Sequence, residues 1–124
     1  MSGRYTQPMP FRLTLHRPFV ADHFHDLPGF VEARHGHNWE LEATVELASD
    51  AEEAAFAGAL DAWIAGVDYR LLNALPECAG RNPTAELLAW RVLEHLLGAG
   101  LDARAVKVRE KANYWALCRP GTGR

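Results

Sequence analysis

Three histidines, His23, His35 and His37, have the side-chain type and spacing to hold one metal ion. His35 and His37 stand at i and i+2, at the head of a run that alternates strictly. His37, Trp39, Leu41, Ala43, Val45 and Leu47 share one parity, while Asn38, Glu40, Glu42, Thr44 and Glu46 share the other. A period of two predicts a half-buried β-strand, and extending it back to His35 puts both imidazoles on the apolar face, about 7 Å apart. Phe11, Leu13, Leu15, Phe19, Ala21 and His23 also share one parity, broken only by Arg17. They predict an antiparallel partner strand, joined to the first by a loop of roughly ten residues. His23 then ends that strand beside His35 and His37, on the same face. Three neutral imidazoles with a fourth position open form the ligand set of a catalytic zinc site. His25 shares the parity of His23, so one residue of slip or a bulge would exchange them as third ligand. H-x-H alone is a weak signal, and a single His on an apolar face is more often a packed one. Matching parity across a hairpin strengthens the metal reading. His16 has the opposite parity and His95 lies in a helical pattern, so both read as structural.

The elements that must position these histidines follow from the rest of the chain. Residues 1–10 hold two prolines and no periodicity, and read as a loose lead-in. Ser49 and Glu52 are spaced as a capping box. Phe56, Leu60, Ile64 and Val67 then recur every three to four residues, predicting an amphipathic helix that ends near Gly66 or Tyr69. Leu75 to Arg81, with Pro76 and Gly80, reads as a loop, and Cys78 within it as an ordinary thiol rather than a nucleophile. Pro83-Thr84 opens a second helix capped by Thr84 or Asn82. Its buried stripe is Leu88, Val92 and Leu96, flanked by Leu93 and Leu97, and Gly98 and Gly100 end it. Ala105 to Arg109 and Ala112 to Arg119 make a final strand pair with a turn around Lys111. The order β-β-α-α-β-β predicts an α+β domain: a four-stranded antiparallel sheet with two helices on one face.

A chain of 124 residues with 48% hydrophobic content is sized for one domain with a substantial core. The net charge of −3 gives no basic footprint, which disfavours nucleic acid and anionic membranes as partners. No apolar run has membrane-spanning length, and the first residues lack a signal-peptide core. Two cysteines without C-x-x-C spacing are too few for a disulfide framework, so reduced thiols in a cytoplasmic protein are expected.

Four motifs, in order, carry a family resemblance. Phe19-Val20-Ala21-Asp22-His23-Phe24, followed by Glu32-Ala33-Arg34-His35-Gly36-His37-Asn38-Trp39, resembles the zinc signature of the 6-pyruvoyltetrahydropterin synthase and 6-carboxytetrahydropterin synthase family. Val67-Asp68-Tyr69-Arg70-Leu71-Leu72-Asn73 is similar to that family's L-D-H-x-x-L-N, Asn82-Pro83-Thr84-Ala85-Glu86 to N-P-T-x-E, and Val106-Lys107-Val108-Arg109-Glu110 to V-x-V-x-E. The resemblance implies the tunnelling fold, whose subunits join sheets edge to edge into homo-oligomers, usually hexamers or other trimer-based rings. It implies zinc as cofactor on His23, His35 and His37, and a pterin substrate such as 7,8-dihydroneopterin triphosphate. It also implies Glu110 as pterin anchor, with Thr84 and Glu86 beside the substrate.

The chain departs from the family pattern where the chemistry lies. Ordinary members have a cysteine a few residues before H-G-H, working as base with an Asp–His pair. Here no Cys lies between Phe30 and His35, Val31 stands four residues before His35, and Tyr69 replaces the histidine of L-D-H, although Asp68 remains. Glu32, three residues before His35, resembles a subclass in which glutamate takes the place of the cysteine. In that subclass the product is 6-hydroxymethyl-dihydropterin, which feeds folate synthesis. A partly desolvated carboxylate can serve as a base near neutral pH. Tyr69 can donate a proton or hydrogen-bond, but it cannot replace an imidazole there. The expected catalytic set is therefore Glu32, Asp68 and Tyr69, in a zinc-dependent lyase. Cleavage to 6-carboxytetrahydropterin and triphosphate elimination to a 6-pyruvoyl product stay open. So do a non-catalytic zinc- and pterin-binding protein and a metal-free structural domain.

Overall fold

The computed structural model describes residues 10–121, so the expected lead-in lies almost wholly outside the described residues. Two long strands, β1 (Phe11–His23) and β4 (His35–Leu47), pair antiparallel along their whole length, from Phe11 opposite Leu47 to His23 opposite His35. Between them lies a small hairpin of β2 (Asp26–Leu27) and β3 (Phe30–Val31). Helix α1 (Asp50–Val67), the two-residue β5 (Arg70–Leu71), helix α2 (Ala85–Gly98), β6 (Asp102–Lys111) and β7 (Tyr114–Cys118) follow. The main sheet has the order β5-β1-β4-β6-β7. Its four long strands are antiparallel, as the sequence predicts; β5 adds a short parallel edge beside Ala21 and Asp22. Two-residue strands carry no periodicity, which is why the hairpin and β5 are not legible from pattern.

Alternation decides which face is covered. Trp39, Leu41, Ala43, Val45 and Leu47 of β4 are buried together with Phe56, Leu60, Trp63 and Val67 of α1 and Leu88, Val92, Leu93 and Leu96 of α2. Arg17, which breaks the parity of β1, reaches Asp61 of α1 at 2.7 Å. The opposite face is polar: Arg12 pairs with Glu46, Thr14 with Thr44, His16 with Glu40, and Arg109 also with Glu40.

Both helices begin on side-chain caps. Ser49 Oγ accepts from Glu52 N–H and Thr84 Oγ1 accepts from Leu87 N–H, each satisfying an N–H without an intrahelical partner. One expectation fails on α2: Leu97 is 44% exposed, whereas Ala85 and Ala89 are buried. At 100° per residue the stripe through Leu88, Val92 and Leu96 widens toward Ala85, Ala89 and Leu93, which leaves Leu97 on the far flank. The final hairpin turns at Ala112-Asn113, and the register shifts between Arg109 and Lys111. Glu110 keeps the inward parity of Val106 and Val108 and is buried.

Candidate metal centre and active site

The full register of β1 on β4 sets His23 opposite His35 and Ala21 opposite His37, so the three histidines meet where the two strands begin and end. His23, His35 and His37 each offer a ligand atom, and these atoms all lie within 4.8 Å of one another. Their ring centroids are 4.6 to 4.9 Å apart. His25 stands outside this group, its ring 5.2 Å from that of His23.

The ring hydrogens are fixed from outside the cluster. His23 Nδ1 lies 2.8 Å from the Pro83 carbonyl and His35 Nδ1 lies 2.8 Å from the Ala33 carbonyl. A carbonyl only accepts, so both Nδ1 atoms carry the hydrogen and both Nε2 atoms keep their lone pairs. Nε2 of His23 and of His37 are buried with no hydrogen-bond partner. An orphaned buried polar atom costs about 1–3 kcal/mol, which a bound cation would offset. Burial lowers the pKa of His23 and His37 below 6.5, against the opposing pull of Glu110 on both and of the Pro83 hydrogen bond on His23. Neutral imidazoles with oriented lone pairs and backbone carbonyls behind them are what a three-His metal site requires. The residues fit a zinc ion.

Trp39 packs edge-on to the His23 and His37 rings, stacks on Phe19, and donates its Nε1–H to the Ala21 carbonyl at 3.1 Å. It is a core residue, as its parity predicts. Two asparagines hold the chain just beyond His23. Asn73 accepts from Phe24 N–H and donates to Phe24 O, both at 3.0 Å. Asn82 accepts from Asp26 N–H at 2.8 Å and donates to Asp26 O at 3.4 Å. A side-chain amide can bracket a backbone unit this way because it carries both a donor and an acceptor. The sequence offers Asn82 only as an alternative helix cap, a place that Thr84 takes, and gives Asn73 no role, though both end or open a quoted motif.

Two carboxylates reach the histidines from different elements. Buried Glu110 brings Oε2 to 3.4 Å from His37 Nε2 and 4.0 Å from His23 Nε2. Glu32 Oε1 accepts from His25 N–H at 3.2 Å and lies 4.0 Å from His35 Nδ1. Four other expected site residues are engaged as follows. Thr84 caps α2, and Glu86 accepts a hydrogen bond from Tyr114 at 2.9 Å. Asp68 accepts from Val20 N–H at 2.9 Å, while Tyr69 gives its backbone N–H to Val20 O and leaves its side chain exposed. Asp68 and Tyr69 thus tie the end of α1 to the edge of β1. Trp115 stands on the polar face with Lys107 over its ring. Cys78 is buried, and burial pushes its thiol up to about 11, which agrees with an inert cysteine.

The sequence matches the family described as 6-pyruvoyl tetrahydropterin synthase over residues 12–121. None of the curated proteins compared with the chain matches it. Among solved structures, the Caenorhabditis elegans 6-pyruvoyl tetrahydropterin synthase superposes with a TM-score of 0.77 at 15% identity, covering 94% of this chain and 100% of that one. The Plasmodium vivax 6-pyruvoyl tetrahydropterin synthase superposes with a TM-score of 0.70 at 12% identity, covering 90% and 98%. Variants of the Plasmodium vivax enzyme, with a catalytic glutamate replaced by Cys or Ala, superpose equally well at a TM-score of 0.70 and 11% identity, covering 90% of this chain and 98% of theirs. At these identities the likeness is one of fold.

Proposed function

The chain belongs to the 6-pyruvoyl tetrahydropterin synthase family, and from that premise we propose a zinc-dependent lyase that cleaves the side chain of 7,8-dihydroneopterin triphosphate or a close relative. The preferred product is 6-hydroxymethyl-dihydropterin, with Glu32 as base. The observation that carries this reading is the set of three converging imidazoles, two of them tautomer-fixed, with Glu32 4.0 Å from His35 Nδ1, in a chain that has no cysteine in that segment. The catalytic glutamate of the Plasmodium vivax enzyme supports it.

Each residue then has a task. When bound to His23, His35 and His37, zinc supplies Lewis acidity toward the oxygens of the substrate side chain. Glu110 is the pterin anchor: its carboxylate accepts from the 2-amino group and the ring N3–H, a two-pronged contact that fixes the ring. Glu32 takes the proton of the 2′-hydroxyl. The C1′–C2′ bond breaks, its electron pair moves into the pterin ring system, and a proton returns to C1′. The products are 6-hydroxymethyl-dihydropterin and the phosphorylated two-carbon aldehyde. Asp68 and Tyr69, through their bonds to Val20, position β1 rather than move protons in this scheme. Thr84 and Glu86 open α2 next to Pro83, close enough along the chain to border the substrate. The outer strand β7, with Tyr114, Trp115 and Leu117 exposed, suits edge-to-edge assembly of a homo-oligomer.

The test is to incubate zinc-loaded protein with 7,8-dihydroneopterin triphosphate and identify products by mass. 6-Hydroxymethyl-dihydropterin, abolished in Glu32→Gln, would establish the glutamate-base lyase. A 6-carboxy or 6-pyruvoyl product would keep the family and overturn the reaction. A second reading, a non-catalytic zinc- and pterin-binding protein, draws on the missing Cys–His relay and on the engagement of Asp68 with Val20. Tight pterin binding without turnover would favour it.

A further inference from the structure

We propose that His25 is a positioning residue for Glu32, aiming its carboxylate at the substrate; this rests on the proposed role of Glu32 as base. Pro28 and Gly29, the latter at φ +76°, make the tight turn of the β2–β3 hairpin. Asp26 pairs with Val31 and Leu27 with Phe30, so the next pair down the same ladder is His25 and Glu32. Glu32 N–H donates to His25 O at 3.1 Å, and His25 N–H donates to Glu32 Oε1 at 3.2 Å. The His25 ring meets the same carboxylate: its Nδ1 lies 3.1 Å from Glu32 Oε1. One oxygen of Glu32 therefore accepts from the backbone of His25 and lies in ion-pair range of the same residue's ring, and the other is left for the substrate.

The segment around this pair is fixed on both flanks. Asn73 brackets Phe24 and Asn82 brackets Asp26, so His25 sits between two clamped peptide units. Its Nε2 is buried without a hydrogen-bond partner, as are the Nε2 atoms of His23 and His37. Yet His25 is outside the group whose nitrogens converge. A half-buried imidazole with one nitrogen beside a carboxylate and a buried nitrogen facing no protein group has the arrangement of a residue that orients a base. Glu32 alone, just past a hairpin of two-residue strands, has three side-chain torsions to order. The ring contact removes most of that freedom, and a misplacement of about 1 Å can cost about 10²-fold in rate.

The experiment compares His25→Phe, His25→Asn and His25→Gln with Glu32→Gln, using zinc-loaded protein and 7,8-dihydroneopterin triphosphate. Asn places an amide N–H near the position of Nδ1; Gln places its amide near Nε2. His25→Phe should lower kcat about 10²-fold with KM and zinc content unchanged, and His25→Asn should recover most of the loss while His25→Gln does not. Loss of zinc in His25→Phe would make His25 a ligand and overturn the proposal. So would unchanged kcat, or Gln rescuing better than Asn. If His25→Phe does not fold, the Asn-against-Gln comparison decides alone. Full turnover in Glu32→Gln would instead sink the base assignment, whereas an inactive Glu32→Gln beside a fully active His25→Phe sinks only the role of His25.

Discussion

Asn73→Ala should loosen the metal site without touching a metal ligand. The Asn73 amide makes two hydrogen bonds to Phe24, one to its N–H and one to its carbonyl, both at 3.0 Å. Phe24 directly follows His23, whose side chain is fully buried. A hydrogen bond contributes about 1 kcal/mol net, and partly buried groups left unpaired add to the cost, so removing both should destabilise the fold by about 2 kcal/mol. For a chain of 124 residues that corresponds to a fall in Tm of about 8 °C. Zinc affinity should fall about tenfold, the lower range for loss of a group that orients a ligand. Asn73→Asp keeps an acceptor for Phe24 N–H but sets a carboxylate oxygen against Phe24 O, so it should be at least as harmful. Thermal melts of metal-free protein, with zinc titration against a competing chelator, measure both effects. An Asn73→Ala protein that melts within 2 °C of the parent and binds zinc equally well would refute the clamp.

The remaining predictions concern burial and protonation. Folding depresses the pKa of His23 and His37, chiefly by burial, so their contribution is present above the unfolded value of 6.5 and is lost as pH falls through the folded values. Metal-free protein should therefore lose stability in urea melts as pH drops below about 6.5, and constant stability down to pH 4 would contradict this. The Cys78 thiol is raised from 9.0 to about 11. Its stabilising contribution is full below pH 9 and lost as pH rises toward 11, a change of order 2–3 kcal/mol. At pH 8 its alkylation should be at least about 100-fold slower than that of a free thiol, as peptide mass mapping can follow. Trp39→Ala should cost about 3–5 kcal/mol, since the side chain is fully buried against Phe19, His23 and His37; a loss below 1 kcal/mol in denaturant melts would show that the site does not lean on it.

The sequence by itself determined the parts that repeat. Alternation from Phe11 to His23 and from His35 to Leu47 defines two strands and their buried faces, because a side chain two residues on returns to the same side. The spacing of Phe56 and Leu60, and of Leu88, Val92 and Leu96, defines two helices for the same reason at another period. Those patterns also put His23, His35 and His37 on one face, so the three-histidine cluster was legible in the sequence. Tertiary structure decided what depends on contacts distant in sequence. The Pro83 carbonyl fixes the His23 tautomer from 60 residues away, and the pairing of β6 with β4 brings the inward-facing Glu110 against His37. Asn73 and Asn82 act on Phe24 and Asp26 only once α1 and α2 have packed. His25 could be told from His23 only by the strand register, since the two share a parity and differ by where β1 ends. Hydrogen bonds depend on where two chain segments meet, and no local period encodes that.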